Sequence, residues 1–353
     1  MGQAGPKRRP TVLAAVAVAS LWGCGGDFSS APPPSLQGLT LDTLFTVGAA
    51  LGEPWESFGG IWDVDVSPSG YLALLDIDAA QVHAYDATGV HVGSIVETGL
   101  EEGGLEGPSG LAWSGPTDLL VWDPSGSWIS RFAVGAAGVE FVERRRAFAF
   151  GETGFCAEGD RTYLSYWQDG LVVHEIGPEG PVASFGAAPD IPGVETLGPE
   201  LQEIAIEELT PSGLSCASTG VLDVSFFGSR LRFHDLEGTE LWTHDFADFN
   251  PLVVYTPDGM GLGRQFDANG GTHLLRSVVA WGEEMALVQH ELRSREFLEA
   301  GEVEVIESRL VRLSDGAEVD RTRDLPLILA TWGSRLYAVR DAPFPQVIAV
   351  EAR

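Results

Sequence analysis

The chain is short of several things at once. Its 353 residues include one lysine, Lys7, and three cysteines, and only 21 basic residues stand against 51 acidic ones, for a formal charge of −30. A surface this acidic repels phosphate backbones, which argues against nucleic acid as a partner. Long apolar runs are missing too. The run from Val12 to Trp22 is about eleven residues, where a membrane-spanning helix needs about twenty. Motifs for hydrolysis are incomplete: His290-Glu291 has Ser294 where a second metal-binding His would fall, and Gly213-Leu-Ser-Cys-Ala217 lacks the closing Gly of a nucleophile elbow. No Gly-Lys-Ser or Gly-Lys-Thr is present to cradle phosphate.

What is present at the N-terminus reads as targeting. Lys7-Arg8-Arg9 precedes the apolar run, and Leu21-Trp-Gly-Cys24 follows it, the order of a signal peptide that ends at a lipid-accepting cysteine. Residues 1–23 are thus expected to be a lipoprotein-type signal, and residues 24–40, with Pro32-Pro33-Pro34, a flexible tether anchored through a lipid on Cys24. This places the protein in a bacterial cell envelope, on the periplasmic or outer-surface side. Simple secretion is the alternative, because Trp22 is bulky for a lipidation site. Cys156 and Cys216 stand in similar contexts, Gly154-Phe-Cys-Ala157 and Leu214-Ser-Cys-Ala217. Both fall in the first strand of neighbouring repeats. They are either a disulfide, which an exported protein allows, or two buried thiols.

The repeats are clearest between Gly60 and Phe132. Gly60-Ile-Trp-Asp-Val-Asp-Val66, the turn Ser67 to Gly70, Tyr71 to Asp76 and Gln81 to Asp86 are echoed 47 residues later, with Leu74-Leu75-Asp76 answered by Val121-Trp122-Asp123. Short apolar runs broken by Ser, Pro, Gly and Asp turns at a period in the forties read as blades of antiparallel sheet. Third strands close at Tyr85, Phe132, Ile176, Phe233-His234, Leu313 and Val350, which gives six blades. The expected fold is an all-β, six-bladed β-propeller over residues 41–353. The chain ends after the third strand of blade six, so Leu41 to Gly48 is expected to supply the missing outer strand and close the ring. Closure of this kind suits a monomer.

Length accumulates in the links on one face: Val96 to Pro108, Ala187 to Ser212, Asp248 to Thr272 and Leu292 to Glu302. Long loops gathered on one side of a rigid scaffold are where binding and catalysis concentrate. Pro199 to Leu209 carries Leu201, Ile204, Ala205 and Leu209 near helical spacing, with Glu200, Glu203, Glu207 and Glu208 elsewhere. It is expected to be a short amphipathic helix packed on the propeller as a lid or plug.

Gly107-Pro-Ser-Gly-Leu-Ala-Trp113, Leu120-Val-Trp-Asp123 and Trp128-Ile-Ser-Arg-Phe132 resemble an NHL repeat, and the acidic linker Gly99 to Pro108 resembles that of bacterial six-bladed β-propeller lipoproteins of that group. Ala79 and Gln81, and then Gly126 and Trp128, depart from the pattern. The resemblance implies the fold and export, in a group that spans binding platforms, lyases and lactonases, and fold alone does not choose among them. Trp62-Asp63 and Trp122-Asp123 fall in different strands, so they do not define a tryptophan-aspartate repeat.

Two sets of site residues follow. A binding module, engaging a ligand or envelope protein through its long-loop face, is expected to use Trp55, Arg264, His273 and Trp281 at an aromatic or charged mouth. A metal-dependent enzyme, lactonase-like or lyase-like, would hold Ca²⁺ with Glu56, Asp63 and Asp65 near the channel axis, joined by Ser109, Glu152, Ser212 or His273. Against this, Asp63 and Asp65 can instead bind backbone amides. A structural envelope scaffold is the third reading.

Overall fold

A computed structural model describes residues 35–99, 101–149, 154–257, 262–265, 272–293 and 305–353. The signal segment, Cys24 and the first part of the tether lie outside these residues. Six four-stranded antiparallel sheets are arranged as blades over residues 61–95, 110–146, 155–187, 212–245, 272–322 and 327–352, the last completed by Leu41–Val47. The chain is a six-bladed β-propeller. Its second and third strands are largely buried, as in Leu72–Asp76, because both faces of each blade pack on neighbours.

Closure is as the sequence suggests. Leu41–Val47 runs antiparallel to Gln346–Ala352, with Leu41 opposite Ala352 and Val47 opposite Val347. The described residues begin before this strand. Leu36 is buried, at 3% exposure, among Trp281, Met285 and Ile328, and Ser35 and Gln37 bind the Asp320 carboxylate. Ser35 to Thr40, expected as tether, is therefore docked on blades five and six, because Leu36 finds an apolar slot between them.

Two local devices repeat around the ring. At the end of strand two, Asp76 accepts the amides of Gly59 and Gly60 at 3.0 and 3.1 Å, and Asp123 accepts those of Glu106 and Gly107. Each aspartate ties the link entering its blade. Across the blade seams, Phe45, Phe185 and Trp242 on outer strands lie over Gly89, Gly238 and Gly316 in the last turn of the next blade. Those glycines have φ of 84°, 86° and 71°, and a Cβ at any of them would come within 2.6 Å of the ring.

Cys156 and Cys216 are joined in a disulfide, with Cα atoms 5.5 Å apart, between the first strands of blades three and four. No helix among the described residues is long and apolar enough to cross a membrane.

Candidate functional site

Links between blades, and those joining second and third strands, emerge on one face. Two of the long links on that face, residues 188–211 and the described parts of 246–271, fold against each other. Helix α1, Pro199–Leu209, starts with Pro at its first turn, where the missing N–H costs nothing, and Glu200 complements the dipole. Leu201, Ala205 and Leu209 recur every four residues and bury one stripe. The second link contributes a hairpin, Val253–Tyr255 with Gly263–Gln265, whose Val254 amide donates to the Pro192 carbonyl at 3.0 Å. Ile191, Leu197, Ala205, Leu209, Leu252 and Val254 form a small core of their own. The result is a cap beside blade three. Its outer surface shows Glu200, Glu203, Glu207, Ile204 and Tyr255, the last two 42% and 41% exposed.

The cap is fastened to blade five by charge and aromatic contacts. Asp248 accepts from Arg309 at 2.8 Å and from Arg321, and these two guanidiniums hold its carboxyl well below the usual range. Phe246 lies under the Arg309 guanidinium, 4.8 Å from it. Phe249 packs on His273 and His290, with centroids 5.2 and 5.1 Å apart. The Asn250 amide donates to His273 Nδ1 at 2.8 Å. Burial lowers the pKa of His273, and pushes that of His290 down to about 3. Neither nitrogen of His290 has a hydrogen-bond partner among the described residues.

Buried charges nearby are already neutralised. Glu307 pairs with Arg309 and Arg323, and Glu291 with Arg276 and Arg293 at 2.9 and 2.7 Å. In blade four Arg232 sits 2.5 Å from Asp223, with His234 at 3.9 Å. Burial raises the Asp223 pKa, but the neighbouring His234 ring and the Arg232 charge outweigh it and leave it lowered. These groups fix blades and cap rather than present a reactive atom.

The residues singled out in the sequence do not converge on one site. Asp63 accepts from Val64 and Leu111 at 2.8 and 2.7 Å, and Asp65 from Val66 and Trp113 at 2.8 and 2.9 Å. The two carboxylates thus clasp the first strands of blades one and two. Each residue keeps some exposed surface, yet its carboxyl is packed round by protein, and burial raises the pKa values to about 6 and about 7 despite the amide bonds. Glu56 is elsewhere, on the link before blade one, and among the described residues no three His, Cys, Asp or Glu form a metal-binding group. Ser109 uses its carbonyl to accept the Trp62 indole, and the Ser212 amide donates to Ser165. Glu152 lies outside the described residues.

Trp281 is 5% exposed in the core shared by blades five and six and donates to the Gly333 carbonyl, so it is a packing residue and not part of a mouth. Its apolar strand packs on both neighbours. His273 is likewise buried, holding the second link. Arg264 lies in the cap hairpin. Trp55 and Glu56 do come together, at the outer rim where blade six meets blade one. Trp62, at the start of blade one's first strand, is 47% exposed.

A scan of protein-family models finds no match, and no curated protein is similar in sequence. Solved structures are similar in fold. A presumed exported protein of Bacteroides fragilis shares 9% identity at a TM-score of 0.55, over 89% of this chain and 95% of that one. A member of the DUF4221 family from Bacteroides vulgatus shares 8% identity at the same TM-score, over 89% and 98%. At these identities the likeness establishes the fold alone.

Proposed function

We propose that this protein is an exported, lipid-anchored propeller that binds a ligand or an envelope protein through its capped face. The observation that carries the reading is the cap itself: two links far apart in sequence fold into one unit with its own core on one face of a rigid ring. A drifting pair of surface loops has no need of a shared core. Export and lipidation rest on the signal-like N-terminus and Cys24, and the Cys156–Cys216 disulfide is in keeping with an oxidising compartment. The ten residues from 25 to 34 would let the docked rim stand off a membrane by at most about 35 Å. The enzymatic reading with Ca²⁺ loses support because all four oxygens of Asp63 and Asp65 already accept amides.

The test is removal of the cap. Residues 194–209 are replaced by a Gly-Ser linker, and envelope complexes are cross-linked and purified from cells making either form. The reading predicts a discrete adduct with the full protein that is lost in a variant still folded as a propeller. An adduct retained without the cap contradicts it.

A further inference from the structure

We infer that the cleft at the seam of blades six and one is a second binding site, separate from the cap and specific for a small organic cation. Its volume is about 460 Å³ and its walls include Thr46, Gly48, Trp55, Glu56, Tyr85 and His91. That size lies within the ordinary range for small-molecule sites, roughly 300–1,000 Å³.

The aromatic wall is fixed before any ligand arrives. Trp55 stacks flat on His91, with centroids 4.6 Å apart and planes at 6°. His91 Nε2 lies 2.7 Å from Ser94 Oγ, and the same oxygen lies 2.8 Å from His83 Nδ1. His83 is itself buried against Phe58. From the other side the Tyr85 hydroxyl donates to the Trp55 carbonyl. The His83–Ser94 pair alone is explained by architecture, since His174 and Ser184 repeat it in blade three at 2.8 Å. What blade three lacks is the extension to a second histidine and a tryptophan. That extension holds one side of an open cleft, and preorganised walls of this kind reduce the cost of binding.

The charge of the cleft selects its ligand. Among the described residues that line it, Glu56 is the one carboxylate and none is Lys or Arg. Glu56 Oε2 accepts the Glu53 amide at 3.2 Å, while Oε1 has no hydrogen bond among the described residues. Gly52 makes room for it, because a Cβ there would come 2.8 Å from Oε2. Burial lowers the His91 pKa, so that ring adds no positive charge at neutral pH. An indole and a carboxylate lining one cleft favour a cation with an alkyl shell, held by the Trp55 ring and by Glu56. An anion would face the carboxylate and a chain of net charge −30.

The probe is choline, compared with 3,3-dimethylbutan-1-ol, which has the same shape without the charge. Binding to the full chain in detergent is followed by titration calorimetry and tryptophan fluorescence. The expected result is choline binding at low-millimolar concentration, with the neutral isostere at least about tenfold weaker. Glu56→Gln, an exposed substitution, should weaken choline by about tenfold with an unchanged melting midpoint. Trp55→Leu should abolish binding, and Trp55→Phe should retain part of it. No choline binding, equal binding of the isostere, or indifference to Glu56→Gln would overturn the assignment. None of these outcomes bears on the cap.

Discussion

Leu41 lies directly opposite Ala352, so the first strand of the propeller is hydrogen-bonded to the last. The ring is closed by backbone pairing between residues near the two ends of the chain, and Leu36 extends the seal into the gap between blades five and six. Removing residues 35–47 should leave the third strand of blade six as an open edge and expose the partners of Leu36, Phe45 and Val47. Each buried apolar side chain contributes about 1.5–3 kcal/mol. At roughly 2 °C per kcal/mol for a chain of this size, the melting midpoint should fall by about 10 °C. A truncated protein that melts with the intact one would contradict closure.

The disulfide between Cys156 and Cys216 spans a sequence separation of 60. Loop-closure entropy for such a span is about 4 kcal/mol. Cys156→Ala with Cys216→Ala should therefore lower stability by about that amount in denaturant titration, and reductant should lower the wild-type midpoint while leaving the double variant unmoved.

Asp63 joins blade one to blade two by accepting the Leu111 amide. Asp63→Ala leaves that amide and the Val64 amide without their acceptor, at a cost of about 2–4 kcal/mol. Since the carboxylates are taken up by amides, thermal melts with millimolar Ca²⁺ and with chelator should coincide. A Ca²⁺-dependent rise of several degrees would revive the metal-site reading.

Two opposed pH effects are built in. His290 and His83 have folded pKa values lowered by burial to about 3 and about 4. The unfolded chain therefore binds more protons below about pH 6.5, and stability falls as pH drops through that window. Asp65 is raised to about 7, so the folded state binds more protons between about pH 4 and 7, and this part of the stability is lost progressively as pH rises across that window. His290→Leu should flatten the acid limb measured between about pH 6.5 and 4, and Asp65→Asn should remove the opposing slope between about pH 4 and 7.

The blades were legible because their signals are local: Leu74-Leu75-Asp76 and Val121-Trp122-Asp123 each end a second strand, and the glycines at 89 and 238 sit at positive φ where their turns demand it. The helix Pro199–Leu209 was legible for the same reason, as was the placing of Cys156 and Cys216 in neighbouring first strands, although not their pairing. What depends on distant partners was not. The hairpin at Val253–Tyr255 has no alternation of its own and forms only against Pro192 and the α1 core. Trp281 looked like a mouth residue until blade six covered it. Trp55 acquires its place from His91, thirty-six residues on, through a stack that no spacing rule foretells. Leu36 sits in a Pro-rich stretch that composition alone marks as tether, and only the gap between blades five and six gives it a home.

The most direct test of the capped face is site-specific photo-cross-linking in native envelopes. A photoreactive residue is placed at Ile204 or Tyr255 on the cap, and in a control at Glu283, which lies in an exposed turn on the opposite face. The account predicts a discrete adduct from both cap positions and none from Glu283. Adducts from Glu283 alone, or equally from both faces, would contradict it.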